Sequence, residues 1–462
     1  MLVERRAEVK STAPFALISA MNADSPACVD QFIQSAHPKA LERALLFLVP
    51  PRGTPTGFGN MALIQQVIAH GANVNAKDEE GRTPLMLAAG SEYFSPETIQ
   101  LLIDKGADLN AQSEGGETAL DFAKRAGQAA VVELLAKAGA KAGAVAEQQP
   151  PKPTPAATVR AAVERSLPLL QRSAVTFAEK SGCVSCHNNS LTSMTIAAAR
   201  KYKFTVDEAA EQTQVKATAA FVESWRERSL QAWPIPGDSA TVSYLLVGLD
   251  AAKHSPDLAT DAWARYLKNR QRADGRWSDP SHRPPLEASD FQATATALRA
   301  LKAYAPQARR GAYETAIGRG AEWLKSAKPL TNEDRAFQLL GLAWAGESAD
   351  VTGEASRELI GKQRADGGWA QHEALASDAY ATGQALVALV ESGVVAVKDD
   401  AYTRGVEFLR STQLEDGSWY VRTRAIAIQP YFEIGFPHVH DQWISAAATN
   451  WAAMALMSAA LE

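Results

Sequence analysis

Apolar residues in the later part of this chain come in short alanine- and leucine-rich runs, such as Thr294 to Leu301, Ala336 to Ala343 and Ala446 to Met457. Each run follows a small polar or acidic residue. Such residues suit a helix N-cap, where a side-chain oxygen accepts from free backbone N–H groups. Six such starts recur at intervals of roughly 50 residues: Asn189-Ser190, Gly237-Asp238-Ser239, Ser289-Asp290, Glu333-Asp334, Ser377-Asp378 and His440-Asp441. Frequent alanine, the strongest helix former, together with this regular punctuation predicts a helical repeat of long period. The last interval is the widest and holds an extra loop, Val421 to Val439. No apolar run is long enough to span a bilayer.

The first part of the chain repeats at a shorter period. Gly71-Ala72-Asn73-Val74-Asn75 recurs as Gly106-Ala107-Asp108-Leu109-Asn110, and Gly81-Arg82-Thr83-Pro84-Leu85 as Gly116-Glu117-Thr118-Ala119-Leu120. Gly139-Ala140 marks a further helix end. A period of about 33 residues, with Gly-x-Thr-Pro-Leu opening one helix and Gly-Ala-Asp/Asn closing the next, resembles ankyrin repeats. The pattern is degenerate before residue 60, and Leu2 to Val9 reads as the tail of an earlier repeat, so the chain is expected to begin mid-repeat. The resemblance implies a stacked solenoid that binds a protein partner on its concave face. A purely structural stack is the alternative. Gln148 to Pro155, with four prolines in eight residues, cannot continue a helix and reads as an extended linker. The expected organisation is ankyrin repeats over 1–145, a proline-rich linker over 146–157, and a helical domain over 158–462.

Three heptads in that last region share one pattern: Gln271 to Trp277, Gln363 to Trp369 and Gln413 to Trp419, each with Asp-Gly before the closing tryptophan. Asp-Gly makes a tight turn, tryptophan packs beneath it, and glutamine can bond exposed helix-end groups. The three copies closely resemble the Gln-Trp motifs of squalene–hopene cyclases and related prenyltransferase-type toroids. That resemblance implies an all-α chain, an ankyrin solenoid followed by a single α6/α6 toroid, in which six inner helices start at one mouth. It implies a scaffold rather than an activity. No Asp-x-Asp-Asp cyclase acid is present, since Asp399-Asp400 lacks the preceding aspartate. A prenyltransferase zinc set is also absent, because no cysteine follows Cys186. A terpenoid-cyclase-like enzyme is therefore the weakest reading. The acids at the helix starts, Asp238, Asp290, Asp334, Asp378 and Asp441, read as caps before they read as a catalytic ring.

Candidate chemistry sits at the first helix start. Two of the three cysteines fall in Cys183-Val184-Ser185-Cys186-His187. Cys-x-x-Cys-His is the spacing that holds a haem through two thioethers and offers a histidine to the iron. Cys183 and Cys186 would carry haem c, and His187 would be the proximal ligand. Closing the ring makes the first and last hairpins neighbours, so His438 or His440 is expected as the distal ligand. Met194 is on the wrong face, and Met454 and Met457 read as core. Zinc, held by the same cysteines and histidines, is the alternative cofactor. A disulfide or inert pair is the third. Cys28 reads as a buried thiol. The aromatic loop Tyr431 to Pro437 either plugs the ring or walls an apolar pocket.

Net charge is −5 with no long basic block, which excludes nucleic acid as the expected partner. The reading is a haem-c-binding protein with an electron-transfer or redox-sensing role and an ankyrin interaction module, its redox partner unidentified. The alternative is a zinc-binding or metal-free scaffold. Haem attachment of this kind implies export to the periplasm or an equivalent compartment. No signal peptide is visible, so the start is expected to be truncated; without haem the expected location is the cytoplasm.

Overall fold

The computed structural model describes residues 26–48, 61–92, 94–144, 150–278, 283–425 and 431–460. The expected repeat tail at Leu2 to Val9 lies outside them, as does the side chain of Cys28. The chain divides into two compact units, residues 1–148 with the segments 280–283 and 424–428, and residues 149–279, 284–423 and 429–462. Regular structure among the described residues is helical, as the alanine-rich runs predict.

The first unit contains α1 (Pro26–Ser35), α2 (Pro38–Leu48), α3 (Met61–Ala69), α4 (Pro84–Ala89), α5 (Pro96–Asp104), α6 (Ala119–Ala126) and α7 (Ala129–Lys137). Thr83 caps α4 by accepting from the Met86 amide, with Pro84 at the first helical position, where a missing N–H costs nothing. Asp121 accepts from the backbone of Thr118 and Gly143, and these bonds with the nearby Lys124 hold its carboxyl below the usual range although burial pushes it the other way. Successive repeats are pinned to each other. Asn75 Oδ1 accepts from the Asp108 amide at 2.7 Å while its Nδ2 donates to the Gly106 carbonyl at 3.0 Å. Asn110 Oδ1 accepts from the Lys141 amide one repeat later. Leu85, Leu87, Ile99, Leu102, Phe122 and Leu135 fill one continuous core that no single repeat could close.

The second unit is a ring of helical hairpins. Its outer helices are α8 (Val159–Ser181), α10 (Glu208–Ser224), α13 (Leu258–Asn269), α15 (Arg310–Ser326), α17 (Ala349–Ile360) and α19 (Asp400–Thr412). Its inner helices are α9 (Leu191–Lys201), α12 (Asp238–Ala251), α14 (Asp290–Tyr304), α16 (Asn332–Ala345), α18 (Ala379–Glu391) and α20 (Gln442–Ala459). A short helix, α11 (Arg226–Leu230), lies in the α10–α12 connection. Each inner helix packs on the next, and α20 returns to pack on α9. The ring is thus closed, an α6/α6 arrangement, and each of the six expected starts opens an inner helix.

The three heptads staple neighbouring hairpins by one repeated set of bonds. Trp277, Trp369 and Trp419 are essentially fully buried, and their Nε1 groups donate to the carbonyls of Leu267, Leu359 and Leu409 at 2.7–2.8 Å. Their own amides donate to Thr294, Thr382 and Thr449 of the following inner helices. Each glutamine donates both to the glycine carbonyl of its own turn and to a carbonyl of another outer helix: Gln271 to Ala316, Gln363 to Ala401 and Gln413 to Ala162. The third staple runs from the last hairpin to the first, so it closes the ring. Gly417 has φ +89°, and a Cβ there would lie 2.5 Å from the Arg165 carbonyl oxygen. Glycine is required on both counts. The proline segment from residue 150 is extended, and it is also tied down: Thr154 donates to the Gln413 carbonyl, Arg410 reaches the Ala156 carbonyl, and Ala156 is fully buried.

Candidate functional site at the mouth of the ring

Gly182 ends α8 in the left-handed region, at φ 60°, so the chain turns sharply out of the helix. Cys183 follows with an exposed, free thiol. Residues Cys186 to Ser190 then form a single π-helical turn that runs straight into α9. Such turns insert one residue into a helix and recur at functional sites. Asn189 fastens this one: its Oδ1 accepts from the Ser185 amide at 2.9 Å and its Nδ2 donates to the Ala174 carbonyl of α8 at 3.1 Å. On the other side Gly248 of α12 admits the turn, since a Cβ there would meet Ser190 Cα at 2.8 Å. The side chains of Cys186 and His187 lie outside the described residues.

Polar groups are left over around the turn. Asn188 is 1% exposed, yet among the described residues neither Nδ2 nor Oδ1 has a hydrogen-bond partner, and Ser190 Oγ has none either. A buried amide in this state costs about 1–3 kcal/mol per unmet group. Native structures rarely tolerate that without water or a bound group supplying the partner.

The π-turn packs against α20, so the first and last hairpins do meet at this end of the ring. The loop before α20 packs there too. Phe432 lies against Phe177 of α8, with ring centroids 5.5 Å apart, and against Trp443 at 5.7 Å. Ile434 and Phe436 are buried. Phe432, Ile434 and Phe436 thus pack inward, while Tyr431 of the same loop is exposed.

The two histidines of that loop differ. His438 is half-buried, and its Nε2 lies 2.8 Å from Ser418 Oγ, which is itself 2.6 Å from Asp416 Oδ1. The ionised carboxylate can only accept, so the serine hydroxyl donates to it and His438 donates Nε2–H to the serine. Burial holds the imidazole below its ordinary pKa, against the opposing pull of Asp416 and Asp441. His440 is exposed and lies against the Tyr431 ring, with centroids 4.6 Å apart. His438 and Val439 both have left-handed backbone, at φ 83° and 48°. For a β-branched valine this conformation is strained, and strain of this kind persists only where surrounding structure holds it.

Among the acids at the helix starts, Asp378 caps α18 and Asp334 closes a capping box with Thr331 on α16. Asp238 pairs with Arg270, Asp290 with Arg276, and Asp441 accepts from Tyr420 and the Thr423 amide. They serve local structure. Of the methionines considered as ligands, Met457 is fully buried and Met454 faces the opposite end of the ring. Among the described residues no helix is long and apolar enough to cross a membrane.

A family model for ankyrin repeats matches residues 56–145, in three copies. No curated protein matches the chain. The matched residues form a protein-interaction module, and the chain continues into the closed helical ring.

Proposed function

We propose that the protein is an exported, haem-c-carrying electron-transfer or redox-sensing protein that docks a protein partner through its ankyrin repeats. The observation that carries this reading is the Cys183–His187 motif, which runs into a π-turn holding the buried Asn188. Haem supplies a one-electron couple when bound. Cys183 and Cys186 would each add a thiol S–H across a vinyl group, forming two thioethers, and His187 would offer a ring nitrogen from the same turn. Asn189 keeps that turn in place from behind. His438 has its Nε2–H committed to Ser418, so His440 is the better candidate for the distal side, and its exposure lets it swing off Tyr431. The interaction surface is the stacked repeats, whose side chains are presented by a rigid solenoid. A redox or sensing role follows from the pairing of a redox centre with a docking module, and export follows from where such attachment takes place. The squalene-cyclase-like ring is, in this reading, a scaffold without cyclase activity.

The test is to express the chain with an export signal alongside a cytochrome c maturation system. Haem that survives a denaturing gel, with the pyridine haemochrome of a two-thioether haem, is expected, and Cys183→Ser with Cys186→Ser removes it. No covalent haem in the matured wild type overturns the reading. His440→Ala is expected to turn a low-spin spectrum high-spin, whereas His438→Ala leaves it unchanged.

A further inference from the structure

The opposite end of the ring holds a second feature. There the C-terminal ends of the inner helices surround a cavity of about 460 Å³. This lies in the size range of small-molecule sites. Its lining begins at Met194, seven residues beyond His187, about 10 Å along the helix from the cysteine motif. Its floor is apolar: Met194, Val387 and Met454 are each 6% exposed, and Val390 completes it. Two cations stand over that floor, Lys201 and Arg299. Neither has a carboxylate partner among the described residues. Lys201 lies over the Tyr202 ring at 5.1 Å and Arg299 over the Trp344 ring at 4.8 Å. The one acid on the lining, Glu391, accepts from Trp344 Nε1 at 2.7 Å. It keeps its negative charge, so the lining carries two cations against one acid.

Basic residues in a last helical turn answer the helix dipole, and Lys201 on α9 fits that role. Arg299 does not. It sits more than a turn before Tyr304, the end of α14, where Lys302 already occupies the last turn. Its guanidinium is oriented by the indole face and leaves its N–H donors for another group. An apolar floor beneath two cations and a single acid, a lining with net positive charge, matches one ligand chemistry, an anionic head on an apolar chain. We propose that this cavity binds an amphipathic anion, a long-chain carboxylate or phosphate monoester. Its head would lie between Lys201 and Arg299 and its chain against Met194, Val387, Val390 and Met454.

The site is independent of the haem reading, so either can fail alone. The test is calorimetric titration of the full chain with dodecanoate and with dodecyl phosphate, each below its micellar concentration, and with dodecanol as the neutral control. One-to-one saturable binding of at least one anion, ten-fold or more tighter than dodecanol, is expected; which anion binds better identifies the head. Arg299→Gln should weaken that binding by about ten-fold while leaving dodecanol unchanged. Val387→Trp, checked by circular dichroism, should abolish it by filling the floor. Equal binding of dodecanol and both anions, no saturable binding, or an Arg299→Gln protein that binds as wild type would overturn the proposal.

Discussion

At the scale of single residues, backbone geometry and buried polar atoms make the sharpest statements. Gly417 needs both a positive φ and the absence of a side chain, so Gly417→Ala is expected to cost well over 1 kcal/mol. Gly393→Ala makes the informative comparison. Gly393 has a positive φ of 71° but nothing within 4 Å of a built Cβ, so it should lose only about 1 kcal/mol. Chemical denaturation of the two variants reads the difference. His438 gives a pH signature. The unfolded ring titrates near 6.5, and burial lowers the folded value. Its contribution to stability is therefore complete above about 6.5 and is lost as pH falls through the folded pKa. His438→Asn tolerates the left-handed backbone and removes the titration. The melting temperature of the variant should vary less with pH below 6.5 than that of the wild type. An unchanged profile would remove His438 as the titrating group.

At the scale of elements, the two repeats in the chain are joined by different devices. In the first unit an asparagine per repeat bridges to the next, at Asn75 and at Asn110. Asn75→Ala loses two such bonds and is expected to cost about 1–2 kcal/mol, seen as a lower unfolding midpoint with an unchanged far-ultraviolet spectrum. In the second unit the staple is a tryptophan beneath a tight turn. The three heptads disclosed this in the sequence, because the spacing of glutamine, glycine and tryptophan is the spacing of the bonds. The helix starts were equally legible, since capping chemistry is local. Asn332 opens α16 with Thr331 as its cap, slightly before the expected Glu333-Asp334, and Asp334 serves three residues in. The short helix α11 carried no signal of that kind.

At the scale of the whole molecule, closure is what distinguishes a ring from a row of hairpins. Gln413 bonds Ala162 across the seam between the last and first hairpins, and it is fully buried. Gln271 makes the equivalent bonds inside the ring. Gln413→Ala is expected to destabilise by about 1–3 kcal/mol and to raise amide exchange selectively in α8 and α19, which meet at the seam. Gln271→Ala should raise it instead in α13 and α15. Identical exchange patterns in the two variants would show that the seam carries no special role.

The sequence by itself determined what depends on neighbours along the chain: the helices, their caps, the periods of both repeats and the cysteine motif. Each is a matter of residue order and local backbone preference. Tertiary structure alone decided what depends on residues far apart. It turned His438 toward Ser418, buried Asn188 with no side-chain partner among the described residues, and packed Phe432 onto α8. It also gathered Lys201, Arg299 and an apolar floor from separate inner helices into one cavity. No spacing encodes that last grouping, because it exists only when the ring closes and the helix ends converge.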